Sequence, residues 1–154
     1  MRIANGFTLI ELMIVVAIVA TLTLVAVPMY TYSVRSSVRA EARGTMYELS
    51  HLQERYFTTN NSYLCFNSTG CSSTPTGWKN YSGSSYASRK YSIGVASRGT
   101  VSCSGDTITN SIANGYVITA TPANGFSDPN CGVLTLDSCG TRTNSIGLLS
   151  DCWK

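Results

Sequence analysis

A single acidic residue, Glu11, lies near the start of an apolar run that begins directly after Gly6-Phe7. Residues 12–27 contain no charged side chain. A carboxylate inside a membrane helix costs about 2.5–3.5 kcal/mol on insertion scales, so a helix that serves only as an anchor would not need one. We therefore expect Glu11 to have a partner on another protein chain within the bilayer. An ordinary secretory signal keeps its charges before the apolar core, which argues against that class of segment.

The apolar run is long enough to cross a membrane. As an α-helix, residues 7–27 would extend about 30 Å at 1.5 Å per residue, which matches the thickness of the hydrocarbon core. Pro28 follows directly, and a proline within a helix removes one backbone hydrogen bond.

Helical periodicity continues after Pro28. Apolar residues recur at steps of three and four and predict one buried stripe: Val34, Val38, Ala42, Met46, Leu49, Leu52 and Tyr56. The opposite positions carry charged or amide side chains and predict a solvated face: Arg35, Arg39, Glu41, Arg43, Glu48, Gln53, Glu54 and Arg55. The turn-rich residues 58–62 predict the end of this helix.

The second half of the chain has the alternation that is typical of strands. Strands are predicted at residues 91–95, 116–120 and 133–136, with a further short one near Val101 or Thr107-Ile108. Residues 63–88 are rich in Gly, Ser and Thr and predict a long loop. Because no strand–helix–strand alternation occurs, we expect an antiparallel sheet laid against the helix, which is an α+β fold.

Composition and cysteine spacing restrict the class of protein. Only 12% of the 154 residues are charged, and the formal net charge of +3 is too small to require a polyanionic partner. None of the six cysteines has C-x-x-C spacing, and His51 is the one histidine, so zinc-site and thioredoxin-like patterns are absent. An even number of cysteines behind an export segment favours disulfides in an oxidising compartment.

We find no catalytic pattern. His51 lies on the predicted helix, where a surface histidine is the expected interpretation, and a Ser/His/Asp set has no other histidine to use. The acids of the predicted loops lack calcium-loop spacing: Asp106, Asp128, Asp137 and Asp151. We therefore expect no enzymatic activity, no cofactor and no metal.

The segment Gly6-Phe7-Thr8-Leu9-Ile10-Glu11 resembles the class III signal of the type IV pilin family. The resemblance implies that a prepilin peptidase cuts between Gly6 and Phe7 and that the new amino group of Phe7 is methylated. It also implies that Glu11 pairs with the amino group of a neighbouring subunit. Members of the family commonly carry a proline at the position of Pro28, which implies a kinked helix and not a helix end.

Two further regions, residues 53–57 and 116–153, resemble minor pilins of the PilE/ComP-like group. The resemblance rests on Gln53-Glu54-Arg55-Tyr56-Phe57, Tyr116-Val117-Ile118-Thr119-Ala120-Thr121-Pro122, Cys131-Gly132-Val133-Leu134-Thr135-Leu136-Asp137 and Cys152-Trp153. It implies the type IV pilin fold, in which a long kinked N-terminal helix packs on an antiparallel sheet of about four strands. The chain would then comprise a leader (1–6), the transmembrane and assembly half of the helix (7–33) and a periplasmic or extracellular globular domain (34–154).

The resemblance also bears on the disulfides, whose pairing the sequence alone leaves open. In pilins a disulfide ties the C-terminal segment back to the sheet, which implies that Cys152 is bonded, with Cys131 and Cys139 as competing mates. The favoured pairing is Cys65–Cys71, Cys131–Cys152 and Cys103–Cys139.

The resemblance extends to the ComP-like members of this group, and it implies a receptor that captures DNA for uptake. The candidate DNA-binding residues combine cations with aromatic side chains in the loop and first strand: Trp78, Lys79, Tyr81, Tyr86, Arg89, Lys90 and Arg98. Cations would contact phosphates, and exposed aromatic rings would contact bases or sugars. The alternative is that the tyrosines pack on the helix and the cations only keep the domain soluble.

The resemblance implies a minor pilin of a type IV pilus that supports pilus assembly, twitching, adhesion and DNA uptake. One alternative is a DNA-uptake receptor within the pilus, and another is a type II secretion pseudopilin. The implied partners are other pilins in a filament, the prepilin peptidase, an inner-membrane assembly platform and, for the receptor, DNA. The precursor would lie in the bacterial inner membrane and the mature subunit in the filament.

Overall fold

The structure is a computed structural model that describes residues 7–71, 73–98, 100–103, 106–109 and 115–154, with backbone alone at 98, 100–103 and 106–109. Contacts divide the chain into two compact units, Met1–Ser37 and Val38–Lys154. Helix α1 (Leu9–Asn60) contributes to both units. It ends within the turn-rich segment that the sequence predicts as its end.

The part of α1 in the first unit is continuous through Pro28. The hydroxyls of Thr21 and Thr23 donate to the carbonyls of Ile18 and Val19, at 2.8 and 2.7 Å. Polar groups that are satisfied within the helix allow it to face lipid. By length and composition, α1 is apolar enough to cross a membrane. The kink at Pro28 stays a prediction.

The strands of the second unit are β1 (Tyr91–Arg98), β2 (Thr100–Cys103), β3 (Asp106–Thr109), β4 (Gly115–Pro122), β5 (Leu134–Asp137) and β6 (Arg142–Asn144), and they are followed by α2 (Leu149–Cys152). One antiparallel sheet has the order β1-β4-β5-β6, and β2 pairs with β3 in a separate two-stranded sheet. The predicted α+β fold with a four-stranded sheet is confirmed. The strand that completes this sheet is β6, however, whereas the segments near Val101 and Ile108 pair with each other.

One hydrophobic core joins the helix to the sheet. Alternate residues of β1, β4 and β5 are buried together with the middle of α1: Ala42, Met46, Leu49, Tyr91, Ile93, Val95, Tyr116, Ile118, Ala120, Leu134 and Leu136. The antiparallel register pairs Ile93 with Ala120 and Ile118 with Leu136. These pairs give the sheet one continuous apolar face for the helix stripe.

Two of the α1 residues predicted for the solvated face are buried, so that prediction is wrong for them. Arg39 is 2% exposed because it pairs with Asp128, and Gln53 is 0% exposed. The Gln53 amide donates to the carbonyl of Leu64 at 2.7 Å and accepts the Leu64 N–H at 2.9 Å. An amide whose oxygen and nitrogen both have partners, like that of Gln53, can be buried, and apolar periodicity does not register such a residue.

The loop between α1 and β1 covers the outer edge of β1. Phe66 exchanges two hydrogen bonds of 2.9 Å with Val95. Further along, the Ile93 N–H donates to Asn80 at 2.8 Å. A Cβ atom at Gly94 would collide with the carbonyl of Asn67, so the close approach of the loop requires glycine. The predicted loop is therefore anchored to the sheet at two places.

Candidate functional site

The first candidate site is the start of α1. Thr8 precedes the first helical residue, and its Oγ1 accepts the N–H of Glu11 at 3.3 Å. Thr8 and Glu11 thus have the spacing of a capping box, in which a Ser or Thr stands three residues before a Glu. This role of Thr8 was not predicted above, although the Thr-x-x-Glu pattern can be read directly from the sequence.

The Glu11 carboxylate has no ion pair with any residue that the structure describes. Phe7, which would carry the new amino group, is 80% exposed. Gly6 lies outside the described residues. In this single chain Phe7 and Glu11, which the sequence predicts as assembly residues, are therefore both exposed.

The second candidate site lies in the loop before β1, where cations and tyrosines are brought into contact. The Nζ of Lys79 lies 5.2 Å from the ring centroid of Tyr81. Tyr81 meets Tyr86 edge to face, with centroids 5.8 Å apart. The guanidinium carbon of Arg89 lies 3.7 Å from the centre of the Tyr86 ring. We call Lys79, Tyr81, Tyr86 and Arg89 the tyrosine–cation cluster.

Backbone anchors position this cluster. Ser82 donates its N–H to Tyr91 at 3.0 Å, and the Ser82 hydroxyl accepts the Tyr91 N–H at 2.9 Å. The turn that carries Tyr86 is held from the β4–β5 connection, because the amide of Asn124 donates to the carbonyl of Ala87 at 2.9 Å. These bonds fix both tyrosines relative to β1.

Trp78 has different contacts from the tyrosine–cation cluster. Trp78 is half-buried and packs edge to face on Phe66 and Tyr56, with centroids 5.8 and 6.3 Å apart. It therefore supports the core, and we leave it out of the surface proposed below. Lys90 is exposed and follows the cluster directly. The side chain of Arg98 lies outside the described part of the chain.

Acidic residues lie close to one end of the cluster. Glu41 and Glu48 line an open groove together with Lys79. Carboxylates next to Lys79 lower the positive potential around its ammonium group. We therefore expect Lys90 to attract anions at long range more strongly than Lys79 does.

Disulfides and hydrogen bonds close the C-terminal segment. Cys131 and Cys152 are bonded, as are Cys65 and Cys71, with Cα atoms 5.6 and 5.3 Å apart. Cys139 is also disulfide-bonded. Because the side chain of Cys103 lies outside the described residues, the Cys103–Cys139 pairing stays a prediction.

Arg43 on α1 contacts the end of the chain. Its Nη1 donates to the carbonyl of Cys152 at 3.1 Å and also to the carbonyl of Lys154. Partial burial lowers the pKa of the Arg43 guanidinium. These contacts, with the disulfide to Cys131, tie the C-terminal segment to both α1 and the core.

A buried ion pair is a feature that the sequence analysis did not predict. Nε of Arg39 lies 2.8 Å from Oδ2 of Asp128, and both side chains are almost fully buried. The Tyr91 hydroxyl donates to the same oxygen at 2.8 Å. The other carboxylate oxygen accepts the N–H groups of Asn130 and Cys131, at 3.2 and 3.3 Å. Burial and the hydrogen bond to Asp128 raise the pKa of the Tyr91 hydroxyl.

A second group of tyrosines surrounds Glu54 near the end of α1. Burial, with a smaller contribution from Glu54, raises the pKa of Tyr63 to about 12. Burial also raises the pKa of Tyr116, although its hydrogen bond with Ser50 acts in the opposite direction. Both tyrosines stay neutral at physiological pH and act as hydrogen-bond donors to the Glu54 carboxylate, at 3.1–3.3 Å.

The described residues include no group of three or more His, Cys, Asp or Glu side chains that could hold a metal ion. His51 is exposed on α1.

Two family models match the chain. One is described as type IV minor pilin ComP, DNA uptake sequence receptor, and it matches residues 28–135. The other is described as the prokaryotic N-terminal methylation motif and matches residues 1–27. A search of curated proteins finds no match. The first model covers more than half of the chain and includes the whole tyrosine–cation cluster.

Proposed function

Because the chain belongs to this family of type IV minor pilins, we propose that it binds DNA for uptake through the tyrosine–cation cluster and Lys90. Family membership makes the chain a minor subunit of a type IV pilus, which is a structural class of protein. The match does not favour the alternative of a secretion pseudopilin.

The observation that carries the DNA proposal is the tyrosine–cation cluster itself. It lies within the matched residues, and members of the family are described as DNA uptake sequence receptors. The loop is held to β1, so the cluster is presented on a firm support. The exposed cation Lys90 can replace the counterions of a DNA phosphate, and the 53% exposed ring of Tyr86 can contact a sugar or base.

For assembly we propose that a prepilin peptidase cuts between Gly6 and Phe7 and that Phe7 is then methylated. The precursor would lie in the inner membrane, and an assembly platform would transfer it to the filament. There, Glu11 would pair with the amino group of a neighbouring pilin. The match to the methylation motif and the apolar start of α1 support this proposal.

The DNA proposal is tested with the full chain in a non-ionic detergent and a short fluorescent DNA duplex, titrated between about 50 and 200 mM salt. Lys90→Met should weaken binding and reduce the log–log salt slope by about 0.9, because one phosphate contact is lost. Arg142→Met is the matched control. It also removes one exposed cation, but from β6 at the opposite edge of the sheet.

We expect the Arg142→Met variant to bind with the slope and affinity of the unchanged protein. Equal losses in both variants would mean that DNA responds only to net charge, and the proposed surface would be wrong. No binding by the unchanged protein at the lowest salt would reject DNA recognition altogether.

A further inference from the structure

Within the tyrosine–cation cluster, Arg89 holds Tyr86 by two contacts. Its guanidinium carbon lies 3.7 Å from the ring centre, and its Nη1 donates to the carbonyl of Tyr86 at 2.6 Å. Its Nε is buried and has no hydrogen-bond partner among the described residues. The guanidinium is therefore turned toward the protein and is engaged with Tyr86.

Tyr86 itself stays open to solvent. Its ring is 53% exposed although Arg89 covers one side and Tyr81 meets it edge to face. The supporting turn is ordered by Ser85 and Ser88, whose hydroxyls are hydrogen-bonded at 2.9 Å. The result is an exposed aromatic ring that is held in one orientation by the guanidinium stacked on one of its faces.

The neighbouring cation differs in all these respects. Lys90 is exposed, and its ammonium group has no ion pair among the residues that the structure describes. Lys is a flexible point charge that binds phosphate without fixed geometry, whereas Arg is planar and stacks on aromatic rings. The adjacent residues Arg89 and Lys90 thus differ in their surroundings and in the contacts that their side chains are suited to make.

We propose that Arg89 is a positioning residue that holds Tyr86 for non-ionic contact with a DNA base or sugar, while Lys90 makes the ionic contact with phosphate. This inference rests on the proposed function. It divides the binding surface into a contact that salt weakens and a contact that salt leaves unchanged, since counterion release belongs only to phosphate contacts.

The test uses the full chain in detergent, a short duplex and the matching single strand, over the same salt series. Arg89→Met and Lys90→Met each remove one positive charge from adjacent positions. Arg89→Lys keeps the charge but removes the planar group. Tyr86→Ala, alone and combined with Arg89→Met, completes a double-mutant cycle.

We expect Arg89→Met to weaken binding by about 5- to 150-fold, the range given by the loss of one base–aromatic contact, with the salt slope unchanged. Arg89→Lys should bind as weakly as Arg89→Met. In the Tyr86→Ala background, Arg89→Met should have less than about a twofold further effect, because the contact that it supports is already lost. Tryptophan fluorescence during urea unfolding checks that every variant folds.

Three results would overturn the inference while the proposed function stands. The first is full DNA affinity in Arg89→Lys. The second is a log–log salt slope that falls by about 0.9 in Arg89→Met. The third is that Arg89→Met weakens binding in the Tyr86→Ala background as much as it does in the unchanged protein. If the unchanged protein binds neither probe at low salt, the proposed function and this inference both fail.

Discussion

At the scale of single residues, Glu11 has two separable properties. Its backbone N–H is capped by the Thr8 hydroxyl at the start of α1, and its carboxylate adds a negative charge where the helix dipole favours one. Only the carboxylate depends on the identity of residue 11, because any residue except proline supplies a backbone N–H. The proposed pairing with another subunit requires the charge, so capping and pairing can be distinguished by substitutions at positions 8 and 11.

We predict that Glu11→Gln and Glu11→Leu both insert into the membrane but enter filaments at least about tenfold less, as expected if a contact worth about 1.4 kcal/mol is lost. Glutamine can still serve a capping box, but it carries no charge. The measurement is an immunoblot of sheared surface fibres, normalised to the amount in membranes.

Thr8→Val is the matched control, because it removes the capping oxygen and keeps the carboxylate. We expect this variant to enter filaments normally. Normal entry of Glu11→Gln would show that the charge has no role in assembly.

Sequence alone was sufficient to nominate the cations and tyrosines of the loop, but it could not show how they meet. The contacts from Lys79 through Tyr81 and Tyr86 to Arg89 depend on the path of a loop that has no periodicity. Trp78 is also an aromatic residue of this loop and was nominated for the same reason, yet it packs on Phe66. Residue type indicated the chemistry, and the anchoring of the loop decided which residues are exposed.

At the scale of elements, the buried Arg39–Asp128 pair joins α1 to the connection between β4 and β5. The two partners are not equally supported. Asp128 keeps the Tyr91 hydroxyl and two backbone N–H groups if Arg39 is removed. Nη2 of Arg39 is buried and has no hydrogen-bond partner among the described residues.

We therefore predict that Asp128→Ala lowers the free energy of unfolding by about 3–5 kcal/mol, the usual cost of leaving a buried charge without its partner. Arg39→Met should cost less, because the carboxylate retains its other donors. Urea unfolding followed by tryptophan fluorescence gives both values. An equal or larger loss in Arg39→Met would contradict this assignment.

Helices and strands were predictable from the sequence where the segment was long enough to show a periodic pattern of apolar residues. The alternation of apolar residues gave β1, β4 and β5, and the three- and four-residue steps gave α1. β6 and α2 contain three and four residues, too few to show a period. The pairing of Phe66 with Val95 also leaves no local signal, because it joins distant segments.

At the scale of the whole molecule, the stability of the second unit should depend on alkaline pH. The pKa of Tyr63 is raised to about 12, and the pKa values of Tyr91 and Tyr116 are raised above their usual range. The ordinary value for tyrosine is about 10. Between pH 10 and the raised values, the unfolded chain binds fewer protons than the folded chain, so stability falls as pH rises.

We predict full stability below about pH 10 and, above it, a loss approaching 1.4 kcal/mol per pH unit for each of the buried residues Tyr91 and Tyr116. The loss from Tyr63 should be smaller, because solvent screens its partly exposed hydroxyl. Urea midpoints, measured by tryptophan fluorescence from neutral to alkaline pH, test this dependence. Tyr91→Phe should be less stable at neutral pH, since Asp128 loses a donor, but its alkaline dependence should be shallower. An unchanged dependence in that variant would exclude Tyr91 as one of the titrating groups.

A filament holds many copies of related domains at high local concentration, and an unprotected strand edge would invite them to fuse by extending one another's sheets. Here the chain's own residues 66, 80 and 82 occupy backbone groups of Tyr91, Ile93 and Val95 at the outer edge of β1. This part of the longest edge strand is therefore closed to strand addition by a neighbouring subunit, and contacts between subunits there must be made by side chains.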